Sequence, residues 1–263
     1  MDKMYYTLFM VEPAESVGKK IFLLHPHSVI KEEMLDLLIM AGYETYTIID
    51  EKRAKKLLAK FPGSIMFINI DEGSNEKTWE KYTKDIMEDP ATKASRLGIM
   101  SYNQDKVLMK KYLMDMAIHC GYVQLKLGLQ ESTKIILGAL EANEARGRRK
   151  YIRAECEDDI NAMVNFKNSS GLCHGKILDI SSAGIAARFD EAFQLGNSTR
   201  IKDVQLKLRG GIVMTEMIYM GLRRDDKHVY IMLFDNKLST ENKLVIHHYI
   251  KQCLQKYIDS LRV

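Results

Sequence analysis

The chain has 263 residues, 46% apolar and 28% charged, which is length and hydrophobic content enough for two separate cores and excludes a disordered chain. A net charge of +4 is too mild to demand a polyanionic partner by itself. Cys120, Cys156, Cys173 and Cys253 are widely spaced with no C-x-x-C, so neither a zinc site nor a disulfide frame is expected, and a reducing cytoplasm is the simpler setting. No run approaches the length of a membrane-spanning helix, so no membrane partner is expected. Met4–Val11 is apolar behind Lys3 but runs into Glu12-Pro13 with no convincing cleavage site, and reads as a leading strand rather than a signal peptide.

Residues 20–146 alternate between buried-type strands and amphipathic helices. Ile21–Leu24 is a short apolar run. Ser28 is placed to cap a helix in which Ile30, Met34, Leu37, Leu38 and Ala41 share a face and which Gly42 stops. Tyr43–Ile49 reads as a strand, Ala54–Lys60 as a helix ended by Pro62-Gly63, and Ser64–Ile70 as a fully buried central strand. Trp79, Tyr82, Ile86 and Met87 lie at helical spacing. Leu97–Ser101, Val107–Ala117, Gly121–Leu127 and Thr133–Ala145 complete five strand–helix pairs. Alternation of this kind gives a parallel sheet wrapped by helices.

The size, the five repeats and their order resemble the receiver domain of response regulators, a flavodoxin-like fold. That resemblance implies a magnesium-binding acidic pair after the first strand, a phosphoacceptor Asp after the third, a hydroxyl after the fourth and a Lys after the fifth. Here the first position reads His25-Pro26-His27, which offers no carboxylate to a hard cation. Asn69 stands at the acceptor position, while Ser101 and Lys126 lie near the hydroxyl and Lys positions. The expectation is a degenerate receiver-like regulatory domain, residues 1–145, that takes no phosphate. Asp71 would be the acceptor only if the strand ran two residues longer. H-x-H at His25 and His27 can present two imidazoles on one side to a soft metal, or can be a surface loop with no third ligand. His247-His248 are adjacent on a helix and so do not share a face.

Thr133–Arg146 is a good helix former that Gly147 should break. Between Arg146 and Arg153, five of eight residues are cationic: Arg146, Arg148, Arg149, Lys150 and Arg153. Such a stretch reads as a solvated linker, a patch for any polyanion, or a wrap for a doubly anionic ligand. Beyond it, Ala162–Phe166, His174–Ile180, Gly184–Phe189, Arg200–Leu208, Ile212–Leu222 and Val229–Phe234 are short runs separated by turn residues. Asp158-Asp159 reads as a solvated turn. A terminal helix follows, capped by Ser239 or Thr240, whose Ile246, Ile250, Cys253, Tyr257 and Leu261 form a stripe for core packing or for dimerisation.

Arg149 and Arg153 form R-x-x-x-R, and Asp179-Ile180-Ser181-Ser182-Ala183-Gly184 forms D-x-S-x-x-G at the end of an apolar strand. In this order, with these strands and a final helix, they resemble the PilZ domain over roughly residues 145–262. The resemblance implies a second domain, 146–263: an antiparallel six-stranded β-barrel with a terminal helix that binds cyclic di-GMP. It implies Arg149 and Arg153 as principal ligands, with Asp179, Ser181 and Gly184 beside them. Arginine suits the task because its fork bonds phosphate oxygens or the guanine O6/N7 edge and its plane stacks on a base. Asp179 can accept from guanine N1–H and the amino group, Ser181 adds a hydroxyl, and Gly184 permits a backbone conformation or a close approach that a side chain would block. An arginine at Arg148 is associated in the family with an intercalated pair of ligand molecules rather than a single one. The chain departs from the pattern at Ile231-Met232-Leu233, where a small residue is often found near the ligand.

No catalytic constellation is visible, so the expectation is an effector and not an enzyme, with no cofactor. Its ligand would fix the cationic hinge, reorient the domains and alter an unidentified protein partner in motility, flagellar or transcription control. The alternative is a nucleic-acid-binding regulator using the basic hinge and the barrel surface, with salt-sensitive affinity, although the aromatic stacking platform of single-strand binders is not evident.

Overall fold

The structure is a computed structural model that describes residues 18–147, 149–168, 171–235 and 237–263. The apolar segment Met4–Val11 and Arg148 fall outside them. The described residues divide into two compact units, one spanning 18–149 with 260–263, the other 150–259.

The first unit holds strands β1 (Ile21–Leu24), β2 (Thr45–Ile48), β3 (Ile65–Asn69), β4 (Arg96–Ser101) and β5 (Tyr122–Gln124), all parallel, in the order β2-β1-β3-β4-β5. They alternate with α1 (Ser28–Met40), α2 (Glu51–Lys60), α3 (Glu76–Glu88), α4 (Lys106–Lys110, continued as a π-helical stretch over Lys111–Asp115) and α5 (Leu129–Ala142). Every residue of β1 and β3 is buried, which is why both read as unbroken apolar runs rather than alternating ones. Asp50 caps α2 and Asn75 caps α3, each accepting from the backbone N–H three residues on.

Three local expectations need correcting. His27, not Ser28, caps α1, its Nδ1 accepting from the Val29 N–H at 3.3 Å. The buried face of α1 is Met34, Leu35, Leu38 and Ile39, and Leu37 points to solvent. Finally, α5 stops at Ala142, well before Gly147. Glu144 takes a left-handed backbone (φ 50°), and the N–H groups of Ala145 and Glu144 donate to the carbonyls of Leu140 and Glu141. This is a Schellman ending without the usual glycine.

The second unit holds β6 (Arg153–Glu155), β7 (Met163–Asn168), β8 (Gly171–Ser181), β9 (Gly184–Phe189), β10 (Arg200–Leu208), β11 (Gly211–Leu222), β12 (Val229–Phe234) and α6 (Thr240–Ser260). Antiparallel pairing runs β8-β7-β10-β11-β12-β9 and returns to β8, closing a six-stranded barrel. The long strand β8 serves three partners. Its first half pairs with β7, its second half with β9, and β6 lies along Asp179–Ser181.

Ser239 caps α6, its hydroxyl accepting from the Asn242 N–H at 3.1 Å. The buried face of α6 is Ile246, Tyr249, Ile250, Cys253, Leu254 and Ile258; Tyr257 is exposed and Leu261 lies past the helix end, so the packing stripe is displaced from the expected one. Tyr249 donates its hydroxyl to Asp159 Oδ2 at 3.0 Å and ties the helix to the barrel. Asp159 is therefore a buried acceptor and not part of a solvated turn, although Asp158 beside it is exposed.

Candidate ligand site

The site is built on β8. Between Ile177 and Asp179 two steps of β8 oppose one step of β9, a bulge directly before the acid. Bulges of this kind re-aim a side chain. Strand β6 pairs with the same stretch, Arg153 opposite Ser181 and Glu155 opposite Asp179, so Arg153 sits diagonally from the acid, where long side chains can meet. Its Nε lies 3.8 Å from Asp179 Oδ1, and about a tenth of each side chain is exposed (12% and 11%). That separation is an ion pair, too long for a hydrogen bond.

A second guanidinium reaches the same carboxylate. Arg223, one residue past β11, donates from Nη2 to Asp179 Oδ2 at 2.5 Å. Two atoms in this group are buried with no hydrogen-bond partner: Asp179 Oδ1 and Arg223 Nε. A buried polar atom left unmatched costs about 1–3 kcal/mol, so such atoms call for an explanation. Nothing in the sequence motif points to Arg223. The dipeptide Arg223-Arg224 after a strand was the available signal, but it does not say which arginine turns inward; Arg223 is largely covered and Arg224 is exposed.

The remaining expected residues have other surroundings. The Ser181 hydroxyl is inside the β8–β9 turn, donating to the Gly184 carbonyl at 3.3 Å and accepting from the Ala183 N–H at 3.2 Å. Gly184 does permit a close approach, but the neighbour is β12. A Cβ there would stand 2.2 Å from the Met232 carbonyl oxygen and 2.8 Å from Leu233 Cα. Arg149 is half-buried at the sequence junction of the two units, and Arg148 lies outside the described residues.

The receiver-like unit has a different chemistry at the ends of its strands. Asn69 is fully buried; its amide donates to the His25 carbonyl at 2.9 Å and its oxygen accepts from the Asp71 N–H at 3.2 Å. Asp71 accepts from the Ser101 hydroxyl at 2.5 Å and from the Tyr102 N–H at 2.6 Å. Lys126 faces Gln104 at 3.5 Å. His25 and His27 go to separate carboxylates, Glu51 at 2.9 Å and Glu72 at 3.9 Å. Among the described residues there is no group of three or more His, Cys, Asp or Glu that could hold a metal ion. Burial pushes the Cys120 thiol up to about 11 and raises Cys156 and Cys253 as well, so these sulfurs are poor nucleophiles. Among the described residues no helix is long and apolar enough to cross a membrane.

No family model matches the chain, and no curated protein matches it. Among solved structures, the cyclic di-GMP-bound PilZ domain of Escherichia coli YcgR is 14% identical, covering 43% of this chain and 99% of that one, with a TM-score of 0.37. A signal receiver domain of an HD domain-containing protein from Pseudomonas fluorescens is 18% identical, covering 51% and 93%, with a TM-score of 0.41. The Bacillus subtilis inhibitor of motility MotI/DgrA is 13% identical over 43% of this chain and about half of its own length (53%), with a TM-score of 0.35. At such identities and scores these likenesses say nothing about what this chain binds. The antiparallel six-stranded barrel and its terminal helix are those that the motifs implied. The second unit is the closed six-stranded antiparallel barrel with a terminal helix expected of a PilZ domain. The first, with its parallel order 2-1-3-4-5, has the flavodoxin-like fold expected of a receiver domain. In this barrel, the D-x-S-x-x-G turn is the β8–β9 corner, and the second arginine of R-x-x-x-R opens the strand beside it.

Proposed function

We propose that this chain is a non-enzymatic effector that captures cyclic di-GMP on its PilZ barrel and on doing so changes domain orientation or protein partner. One observation supports the reading most: Asp179 is flanked by two guanidinium groups, yet its Oδ1 is buried without a hydrogen bond. An ionised carboxylate only accepts and an arginine only donates. Together they suit a ligand that carries phosphate and a base edge with both kinds of group. Arg149 and Arg153 hold phosphate and guanine, Asp179 takes guanine N1–H, and Ser181 and Gly184 hold the corner that aims the acid. Ligand phosphates neutralise the cationic segment around Arg149, and the equilibrium between hinge states shifts by the ligand's differential affinity for them. The partner belongs to motility, flagellar or transcription control, and the four unbridged cysteines fit a cytoplasmic setting.

Calorimetric titration of the full chain with cyclic di-GMP, cyclic di-AMP, GTP and short oligonucleotides tests this directly. Only cyclic di-GMP is expected to bind tightly, and the stoichiometry reads one ligand or a pair. Arg149→Ala, Arg153→Ala and Asp179→Ala are each expected to weaken binding at least about tenfold, since about 1.4 kcal/mol is one decade. Unchanged affinities would remove the site, and preferential oligonucleotide binding would favour the nucleic-acid reading. Small-angle scattering with and without ligand reads the reorientation, and identical profiles would remove that part.

A further inference from the structure

We infer that Arg223 is a ligand-contacting residue of this site and that, paired with Asp179, it selects guanine over adenine. The inference rests on the reading that the barrel takes cyclic di-GMP, and it adds a residue that neither motif contains.

Arg223 reaches the site from the opposite side of the barrel sequence to Arg153, at the start of the β11–β12 connection, where its own N–H is held by the Val229 carbonyl at 2.8 Å. That backbone bond fixes where the side chain starts. Its Nη2 on Asp179 Oδ2 fixes where the side chain ends. A guanidinium has five N–H donors in a rigid fork, so anchoring one nitrogen also orients the others. The Nε so oriented is buried and lacks an acceptor, and Asp179 Oδ1 is buried and lacks a donor. Were Arg223 only a counter-ion for Asp179, its fork could lie bidentate on the carboxylate and satisfy Nε and Oδ1 together. The observed contact is single, and each partner keeps one group back.

The missing complement is an edge offering a donor to Oδ1 and an acceptor to Nε. Guanine has this pair side by side, N1–H and O6. Adenine has the reverse, an acceptor at N1 and a donor at the adjacent amino group. Placed the same way, it sets acceptor against acceptor and donor against donor. Sites built around hydrogen bonds to a base reject the mismatched analogue strongly, because the protein groups stay buried and unpaired.

The experiment titrates the full chain and its Arg223→Lys, Arg223→Ala and Arg224→Ala variants with cyclic di-GMP and cyclic di-AMP, with a thermal melt of each to confirm folding. Lysine keeps a positive charge near Asp179 but has no Nε–H fork. Arg223→Lys and Arg223→Ala are expected to lose at least about tenfold in cyclic di-GMP affinity and to narrow the guanine-over-adenine ratio by a similar factor. Arg224→Ala, at the exposed neighbour, is expected to leave that ratio unchanged. If Arg223→Ala does not fold, Arg223→Lys alone decides. A Lys variant that binds and discriminates like the parent would reduce Arg223 to a counter-ion and overturn the inference, as would an equal loss in Arg224→Ala. Failure of the parent chain to bind cyclic di-GMP would sink the effector reading first and this one with it. A binding parent with indifferent Arg223 variants sinks this one alone.

Discussion

Asp71 in the receiver-like unit and Asp179 in the barrel are both carboxylates close to strand ends, but their surroundings differ in completeness. Asp71 has a short hydrogen bond on each oxygen, from the Ser101 hydroxyl and the Tyr102 N–H. The chain continues outward: Asn103 N–H donates to Ser101 Oγ at 2.9 Å, and Asn103 Oδ1 accepts from the Asp105 N–H at 2.8 Å. This acid, though exposed, has a donor on each oxygen and helps to hold a loop. Asp179 has cations at both oxygens and a hydrogen bond at only one. Polar groups that are buried and left incomplete are where a folded chain departs from its own packing rules, and such departures collect at functional sites.

The contrast can be tested at both acids. The largest effect is expected from Gly184→Ala. Its methyl group would press on the Met232 carbonyl and Leu233 Cα, and backbone in a closed barrel has little room to give. A loss on the order of 3 kcal/mol in urea unfolding is expected; a loss below about 1 kcal/mol would show the corner beside Asp179 to be slack.

Next comes Tyr249→Phe, which leaves Asp159 Oδ2 without its side-chain donor and is expected to cost about 1–3 kcal/mol near neutral pH. Burial works against the Asp159 charge, but the Asn161 N–H and the Tyr249 hydroxyl outweigh it, and the carboxyl lies below its ordinary 3.8. A carboxyl lowered by folding stabilises the native state above its unfolded value and loses that contribution as pH falls through the folded one. The gap between parent and variant should therefore shrink on acidification below the ordinary aspartate range. A gap constant with pH would show that the hydrogen bond is not what lowers this carboxyl.

Ser101→Ala should be milder, about 1 kcal/mol, since Asp71 keeps the Tyr102 N–H. It should leave cyclic di-GMP affinity untouched; a change would show that the two acids communicate. The smallest expected effect is none at all: acetyl phosphate with magnesium should add no mass to the chain. A stable adduct lost in Asp71→Asn would show that Asp71 is the phosphoacceptor.

Much of the fold was legible because burial on both faces, or on one, leaves a period in the sequence. The four barrel strands β9 to β12 match the runs read from it to within a residue at each end. Strand β6 was missed because only Ala154 of its three residues is buried, and no period can be read from a single residue. The face of α1 was misjudged because apolar residues crowd its last two turns on several sides, and only the neighbouring elements choose among them. The site divides in the same way. Arg153 and Asp179 were singled out through the motifs that carry the PilZ resemblance, whereas Arg223, which meets Asp179 from a distant hairpin, is placed by strand register that no local pattern records.

Closure of the barrel has one more result, for self-association. A sheet that returns to its first strand offers no row of free amides and carbonyls on which another copy could template itself. Among the described residues, the outer margins that remain are β2, β5 and β6, of four, three and three residues. Margins so brief give an incoming strand little to grip.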